Sequence, residues 1–246
     1  MIDERFLFGV PVEFNDICLI YAPTNKDIIS FGYNNFWELI SPLLISYEDL
    51  YDAARMKARK EERSIDEYKI LTPWENLWHN IEQSNLQMSV KMAIKIFTKE
   101  DSTFLVDQKM IVIGPVEERR IINEENYFDF QNIIRSSIGL KQASPPNLKM
   151  HPKLREMKAK QRERDRVKAK QEGKNFSFST MLLNCCCLNV GLNLDNILDR
   201  TYVVTSELYK MGSKKEKYEI DILSLIHGAD SKKVKLESWR EMSDDN

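Results

Sequence analysis

Apolar residues recur along this chain at two spacings, and each change of spacing marks the edge of an element. Ile17-Cys18-Leu19-Ile20-Tyr21 is a short unbroken apolar run that stops at Pro23, the pattern of a buried strand. Thr24 is placed to cap a short helix over Lys26–Phe31 that ends at Gly32. Phe36, Trp37, Ile40 and Leu44 then fall at helical spacing within Asn34–Leu44, where Pro42 is expected to kink or end the helix. Ser46-Tyr47-Glu48-Asp49 reads as a capping box with Asp in the place of Glu. It opens a helix through Leu50, Ala53, Ala54 and Met56, whose charged end, Lys57–Arg63, predicts a solvated face. Thr72-Pro73-Trp74-Glu75 is the clearest helix start, with cap, first-position proline and returning carboxylate in order. Trp74, Leu77, Trp78, Ile81 and Asn85 follow on one side, and the tryptophans are expected in the core.

The spacing then shortens. Ala93, Ile94, Ile96 and Phe97 lead to Phe104-Leu105-Val106, then the break Asp107-Gln108, then Met110–Ile113 before Gly114-Pro115. This predicts a hairpin or three-stranded sheet, with Arg119–Ile122 as an added strand. Asn123 caps the next helix, whose stripe is Phe128, Ile133, Ile134 and Ile138 and whose stop is Gly139. Gln142–Asn147, with Pro145-Pro146, is a linker. Beyond it, His151–Glu172 is built of good helix formers with only Leu154, Met157 and Val167 as large apolar residues, which predicts an exposed helix ended by Gly173. A compact apolar helix over Ser177–Leu188 follows, broken by Gly191. Leu194, Ile197, Leu198, Tyr202, Thr205, Leu208 and Tyr209 predict an amphipathic helix, and Tyr218–Ile226 a separate one closed by Gly228. The fold class is therefore mainly α with a small antiparallel β-hairpin or sheet. Residues 1–141 are expected as an α+β N-terminal domain, 142–174 as the Pro-Pro linker and exposed basic helix, and 175–246 as a helical C-terminal domain.

Composition adds one asymmetry. Of 246 residues, 42% are hydrophobic and 30% charged, enough apolar content for a core, and the formal charge is only −2. Lys149–Lys174 holds eleven Lys/Arg and four Asp/Glu, a local +7, so the rest of the chain carries −9. Such a split points to an interaction segment or to an electrostatic match within the molecule. Lys153, Arg155, Lys158, Lys160, Arg162, Arg164, Arg166, Lys168 and Lys170 are the candidate partner-binding residues. Acids and apolar residues precede any basic run at the N-terminus, so no signal peptide is expected, and no 18-residue apolar stretch predicts a membrane span.

Catalytic patterns are sparse. The glycines show no phosphate-loop or dinucleotide spacing, and there is no nucleophile elbow or His-Glu zinc helix. His79, His151 and His227 stand alone, and Glu117-Glu118 and Glu124-Glu125 read as solvated turns. Cys185-Cys186-Cys187 lacks zinc spacing and suits a disulfide poorly, so these and Cys18 are expected as small buried thiols in a reducing, cytosolic setting. No enzyme activity, metal or cofactor is expected. A nucleic-acid reading has the cationic density it needs, but no aromatic residue lies between Lys149 and Glu172 to stack on bases.

Several short segments carry a family resemblance. They are Tyr21–Ile29 with Gly32, Ile122–Arg135, the basic stretch Lys153–Lys170, Asn196–Asp199 with Tyr202–Tyr209, and His227–Lys233 with Trp239. Their order resembles bacteriophage tail-assembly proteins, often chaperone-like, encoded near the tape-measure gene in phages of Gram-positive bacteria. The Cys185–Cys187 run is not a feature of that group. The resemblance implies a non-enzymatic assembly or structural protein that binds another tail protein, with the tape-measure protein as the candidate client. It also implies the host cytoplasm during assembly, or the virion tail, as the setting, and is compatible with a homo-oligomer. The alternative is a nucleic-acid-binding protein that uses the helix at 149–174.

Overall fold

The computed structural model describes residues 3–84, 86–145, 150–172, 177–188 and 191–228, together with Val234 and Leu236. The predicted end of the basic helix at Gly173, the place of Asn85 and the side chain of Lys170 lie outside the described residues.

The fold is mainly helical with two small antiparallel sheets. A short helix α1 (Glu4–Leu7) precedes strands β1 (Val12–Phe14) and β2 (Cys18–Ile20). They pair with Val12 opposite Ile20 and Phe14 opposite Cys18. Alternation buries those four side chains and exposes Glu13 and Leu19. The connecting turn puts Asn15 and Asp16 at φ 46° and 54°, the left-handed region that short polar side chains tolerate. Thr24 closes a capping box on α2 (Asn25–Phe31): its hydroxyl accepts from Asp27 N at 3.1 Å, and the Asp27 carboxylate accepts from Thr24 N at 2.9 Å. Gly32, at φ 79°, turns the chain into α3 (Tyr33–Leu44).

Helix α3 ends at Leu44 as expected, two residues after Pro42, which it accommodates within its last turn. Proline has no N–H for the carbonyl of Glu38, and the Ser41 hydroxyl donates to that oxygen instead, at 3.0 Å. Ser46 and Asp49 form the expected box on α4 (Tyr47–Lys60), and Thr72 and Glu75 do the same for α5 (Pro73–Ser84). Trp74 and Trp78 are buried, in edge-to-face contact at 5.6 Å. The expectation of strand over Ala93–Phe97 is overturned, because these residues sit in α6 (Gln87–Thr98). Val90, Ala93, Ile94, Ile96 and Phe97 are all buried. Val90, Ala93, Ile94 and Phe97 keep helical spacing, but the run of Ile and Phe ends shortly before the strand at Ser102 and reads in sequence as its continuation.

Strands β3 (Ser102–Leu105), β4 (Met110–Ile113) and β5 (Ile121–Ile122) make the second sheet in that order. Arg120 fastens it: its guanidinium donates to the Glu100 carboxylate and, at 3.1 Å, to the Ile17 carbonyl beside the first hairpin. Asn123 caps α7 (Glu124–Ser137), and the chain turns at Gly139, φ 76°. Helix α8 (Pro152–Glu172) is the long basic helix, and α9 (Phe178–Cys187) follows as predicted.

The last helix differs from expectation. Leu194–Thr201 is turn and short 3-10 helix, and one continuous helix, α10 (Tyr202–Ile226), replaces the two predicted. Thr201 caps it, and the Lys/Glu-rich stretch after the buried Gly212 keeps it helical instead of breaking it.

Residues on both sides of the proline linker share one core. Phe178, Met181, Leu182, Cys185, Ile197 and Val203 join the cluster that holds Phe6, Phe14, Phe36, Phe97 and Phe130. Tyr33 stacks on Phe178 at 5.0 Å, and Trp37 meets Tyr202 edge-on at 5.8 Å. Backbone bonds stitch the same seam: Asn25 N donates to the Arg200 carbonyl, and Tyr202 N to that of Pro23. The fully buried Asn25 amide donates at 2.7 Å to both the Ile197 carbonyl and the Thr205 hydroxyl.

Candidate functional site

The basic helix α8 is ordered by a second helix, α4, on which it lies. With 3.6 residues per turn, Arg155, Glu156, Ala159, Arg162, Glu163 and Arg166 fall on one face of α8. That face meets Asp49, Tyr51, Asp52 and Arg55 of α4. Arg162 grips Asp52 with two bonds, Nε at 3.0 Å and the terminal amine at 2.8 Å. Arg166 reaches Asp49 and, at 3.2 Å, Asp52 as well. Arg55 of α4 answers in the opposite sense, bonding Glu156 at 3.1 Å and Glu163. Arg155 lies over the Tyr51 ring, 5.4 Å from its centroid. Later residues of α8 meet earlier residues of α4, so the pairing is antiparallel.

Ala159 is fully buried on the same face of α8 as these charges. The Asp52 side chain is only 3% exposed, so its carboxylate depends on the two arginines for partners. The hydrogen bond to Asp52 outweighs partial burial and holds the Arg162 guanidinium more firmly protonated than usual. Burial opposes the charge of Arg55, but its bonds to Glu163 and Glu156 overcome that and raise its pKa. Arg55 in turn holds the Glu163 carboxyl below the ordinary glutamate value.

The nine predicted cations therefore divide. Arg155, Arg162 and Arg166 are turned inward to α4. Lys153, Lys158, Lys160, Arg164 and Lys168 are exposed, with Lys160 paired to Glu156 at 3.6 Å. The exposed helix of the sequence reading is thus exposed on one side only. On the open side Leu154, Met157 and Val167 stand at 47%, 67% and 52% exposure. The α4 partner was missed, although the charge pattern contained it: Asp49 and Asp52 followed by Arg55 and Arg59 mirrors the order of Glu156 and Glu163 with Arg162 and Arg166.

A cleft of about 960 Å³ opens between the start of α4, the end of α7, the proline-rich stretch and α8. Arg135, Arg155, Lys158 and Arg162 face it together with Glu48 and Asp49. The Ser46 hydroxyl at its rim is committed to the α4 cap, donating to Asp49 at 2.6 Å. Arg135 is held by the carbonyls of Leu44 and Lys141.

Other sequence candidates are scattered. His79, His151 and His227 are exposed and far apart in the chain. Among the described residues no group of His, Cys, Asp and Glu has the arrangement to hold a metal ion. The cysteines are free thiols, but only Cys18 and Cys185 are buried, each with its pKa raised chiefly by burial, to about 12 and about 11. Cys186 is half-buried and Cys187 exposed, because successive residues of α9 point around the helix and only one side meets the core. Among the described residues no helix is long and apolar enough to cross a membrane.

No protein-family model matches the chain, and comparison with characterised proteins and with solved structures finds no match.

Proposed function

We propose that this chain is a non-catalytic assembly factor that binds another protein, of the tail-assembly, chaperone-like kind its sequence resembles. One observation carries the reading. A helix of 21 residues is held on α4 by its inner face, while its outer face offers apolar side chains among cations that have no carboxylate partner among the described residues. Leu154 and Met157 gain nothing from water, and a client that covers them turns that exposure into binding energy. The surrounding lysines and Arg164 speed encounter with an acidic client and set its orientation.

The nucleic-acid reading is the second. It is favoured by Lys153, Lys158, Lys160, Arg164 and Lys168 on the open side, and weakened by the commitment of Arg155, Arg162 and Arg166 to α4. Five phosphate contacts predict a log–log salt slope of about −4.5 on duplex DNA.

The test is co-expression with phage tail proteins, a tape-measure protein first. The expected result is a co-purifying complex and a client that stays soluble only in its presence. Client behaviour unchanged by the protein, with no complex by size-exclusion chromatography, would overturn the assembly reading. A DNA affinity with the stated slope and no client would select the second.

A further inference from the structure

The outer face of α8 has a pattern of its own. Leu154, Met157, Gln161, Arg164 and Lys168 are separated by three, four, three and four residues. That alternation draws a single seam along a helix, the one by which two helices lie side by side. At 100° per residue the seam lies opposite Ala159 and so points away from α4. Its first half is apolar, with Leu154 and Met157, and its second half cationic, with Arg164 and Lys168. Lys153, Lys158 and Lys160 flank it, and Asp165 on this side accepts a hydrogen bond from Gln161 at 2.9 Å. Lys153, Lys158, Arg164 and Lys168 have no carboxylate partner among the described residues.

The inner face of the same helix shows what α8 accepts. There, arginines at positions 162 and 166 receive the carboxylates of an antiparallel helix, Asp52 and Asp49, on the face that also buries Ala159. We propose that the outer seam takes a second helix, this one acidic and supplied by a partner protein, so that α8 becomes the middle of three helices. The occupant is an amphipathic helix with apolar side chains against Leu154 and Met157 and Asp or Glu against Arg164 and Lys168. This deepens the assembly reading and rests on it, naming the surface and the chemistry of the client segment. A nucleic acid would use the cations and be indifferent to Leu154 and Met157. The apolar half of the seam is what favours a protein helix over a polyanion.

The test uses the full chain and a fluorescein-labelled synthetic helix of three heptads, with Leu at the seam positions and Glu at the flanking ones. The outer positions are exposed, so Leu154→Glu with Met157→Glu, and separately Arg164→Glu with Lys168→Glu, should leave the circular dichroism spectrum and thermal midpoint unchanged. Saturable binding in fluorescence anisotropy is expected, weakened about tenfold or more by either double substitution. Arg162→Gln, on the inner face, should weaken it far less. A 20-base-pair duplex DNA and vesicles containing phosphatidylserine serve as competing probes. The proposal is overturned if the peptide does not bind at 50 mM salt, or if both outer double variants bind it like the wild type. It is equally overturned if DNA or vesicles bind more tightly than the peptide. The co-expressed client is assayed with the same variants. A client that still binds both double variants leaves the assembly reading standing and removes only this surface, whereas the lack of any client for the wild type removes the reading itself.

Discussion

At the scale of single residues, Asp52 concentrates the cost of the α4–α8 contact. A carboxylate excluded from water depends on its partners, and removing the carboxylate leaves Arg162 and Arg166 facing a half-dry gap. Asp52→Ala is expected to lower stability by about 2 kcal/mol, short of the full penalty of a broken buried pair because both arginines retain some contact with water. Urea titration measures this, and in a double-mutant cycle with Arg162→Ala the two losses should add to less than their sum. Acid acts on the same layer of the molecule. Glu163 is held low by Arg55, Asp3 chiefly by its bond from Arg5, and Glu75 chiefly by the backbone N–H of Thr72. Groups depressed in the folded state contribute stability above their unfolded pKa and lose it as pH falls through the folded one. The thermal midpoint should therefore hold from pH 7 to about 5 and fall below about pH 4.5. The fall should be shallower in Glu75→Gln, whose charge no longer titrates.

At the scale of elements, α8 is bound by charge where the neighbouring helices are bound by apolar packing. Salt separates the two kinds of attachment: the screening length shrinks from about 10 Å at 0.1 M to about 3 Å at 1 M, while apolar burial is not weakened. Amide hydrogen exchange across residues 153–168 should rise with sodium chloride between 0.05 and 1 M, while α6 and α7 stay protected. Ala159→Arg puts a long side chain into the buried centre of the contact and should give the high-salt exchange pattern already at low salt. Equal protection of α8 at both salt concentrations would mean that ion pairs are not what holds it. The elements also show what a sequence can and cannot reveal. The starts of the helices capped by Ser46, Thr72 and Asn123 were legible from local chemistry, but the first buries Tyr51, Asp52 and Ala58 and not the Leu50, Ala53, Ala54 and Met56 of its apolar pattern. Helix α6 was not, because its Ile and Phe run leads shortly into the strand at Ser102, and neither was the continuity of α10, because the polar stretch 212–217 interrupts its apolar pattern. The basic helix was legible as a helix and as a candidate surface. Its inner face was not, since recognising that Arg162 belongs to Asp52 requires pairing charges 110 positions apart.

At the scale of the whole molecule, the shared core makes the two sides of the proline linker dependent on each other. A fragment of residues 1–145 would leave Tyr33 and Trp37 without Phe178 and Tyr202, and Asn25 without either oxygen it donates to. Such a fragment is expected to keep much of its far-ultraviolet helical signal but to lose near-ultraviolet structure and cooperative melting. A sharp melting transition for 1–145 would show the N-terminal part to be self-sufficient.

The distance along the chain between the partners of the α4–α8 pair has a consequence in time. At about 5–20 residues per second, roughly 5–20 s separate the synthesis of Asp52 from that of Arg162. Asn25 waits longer still, since its hydroxyl partner Thr205 follows 180 residues later. Throughout that interval the nascent chain carries the Asp49 and Asp52 carboxylates with no counterpart and an aromatic surface with no cover. Each is an invitation to a neighbouring chain at the same stage of translation, and the last helices to be made are the ones that withdraw it.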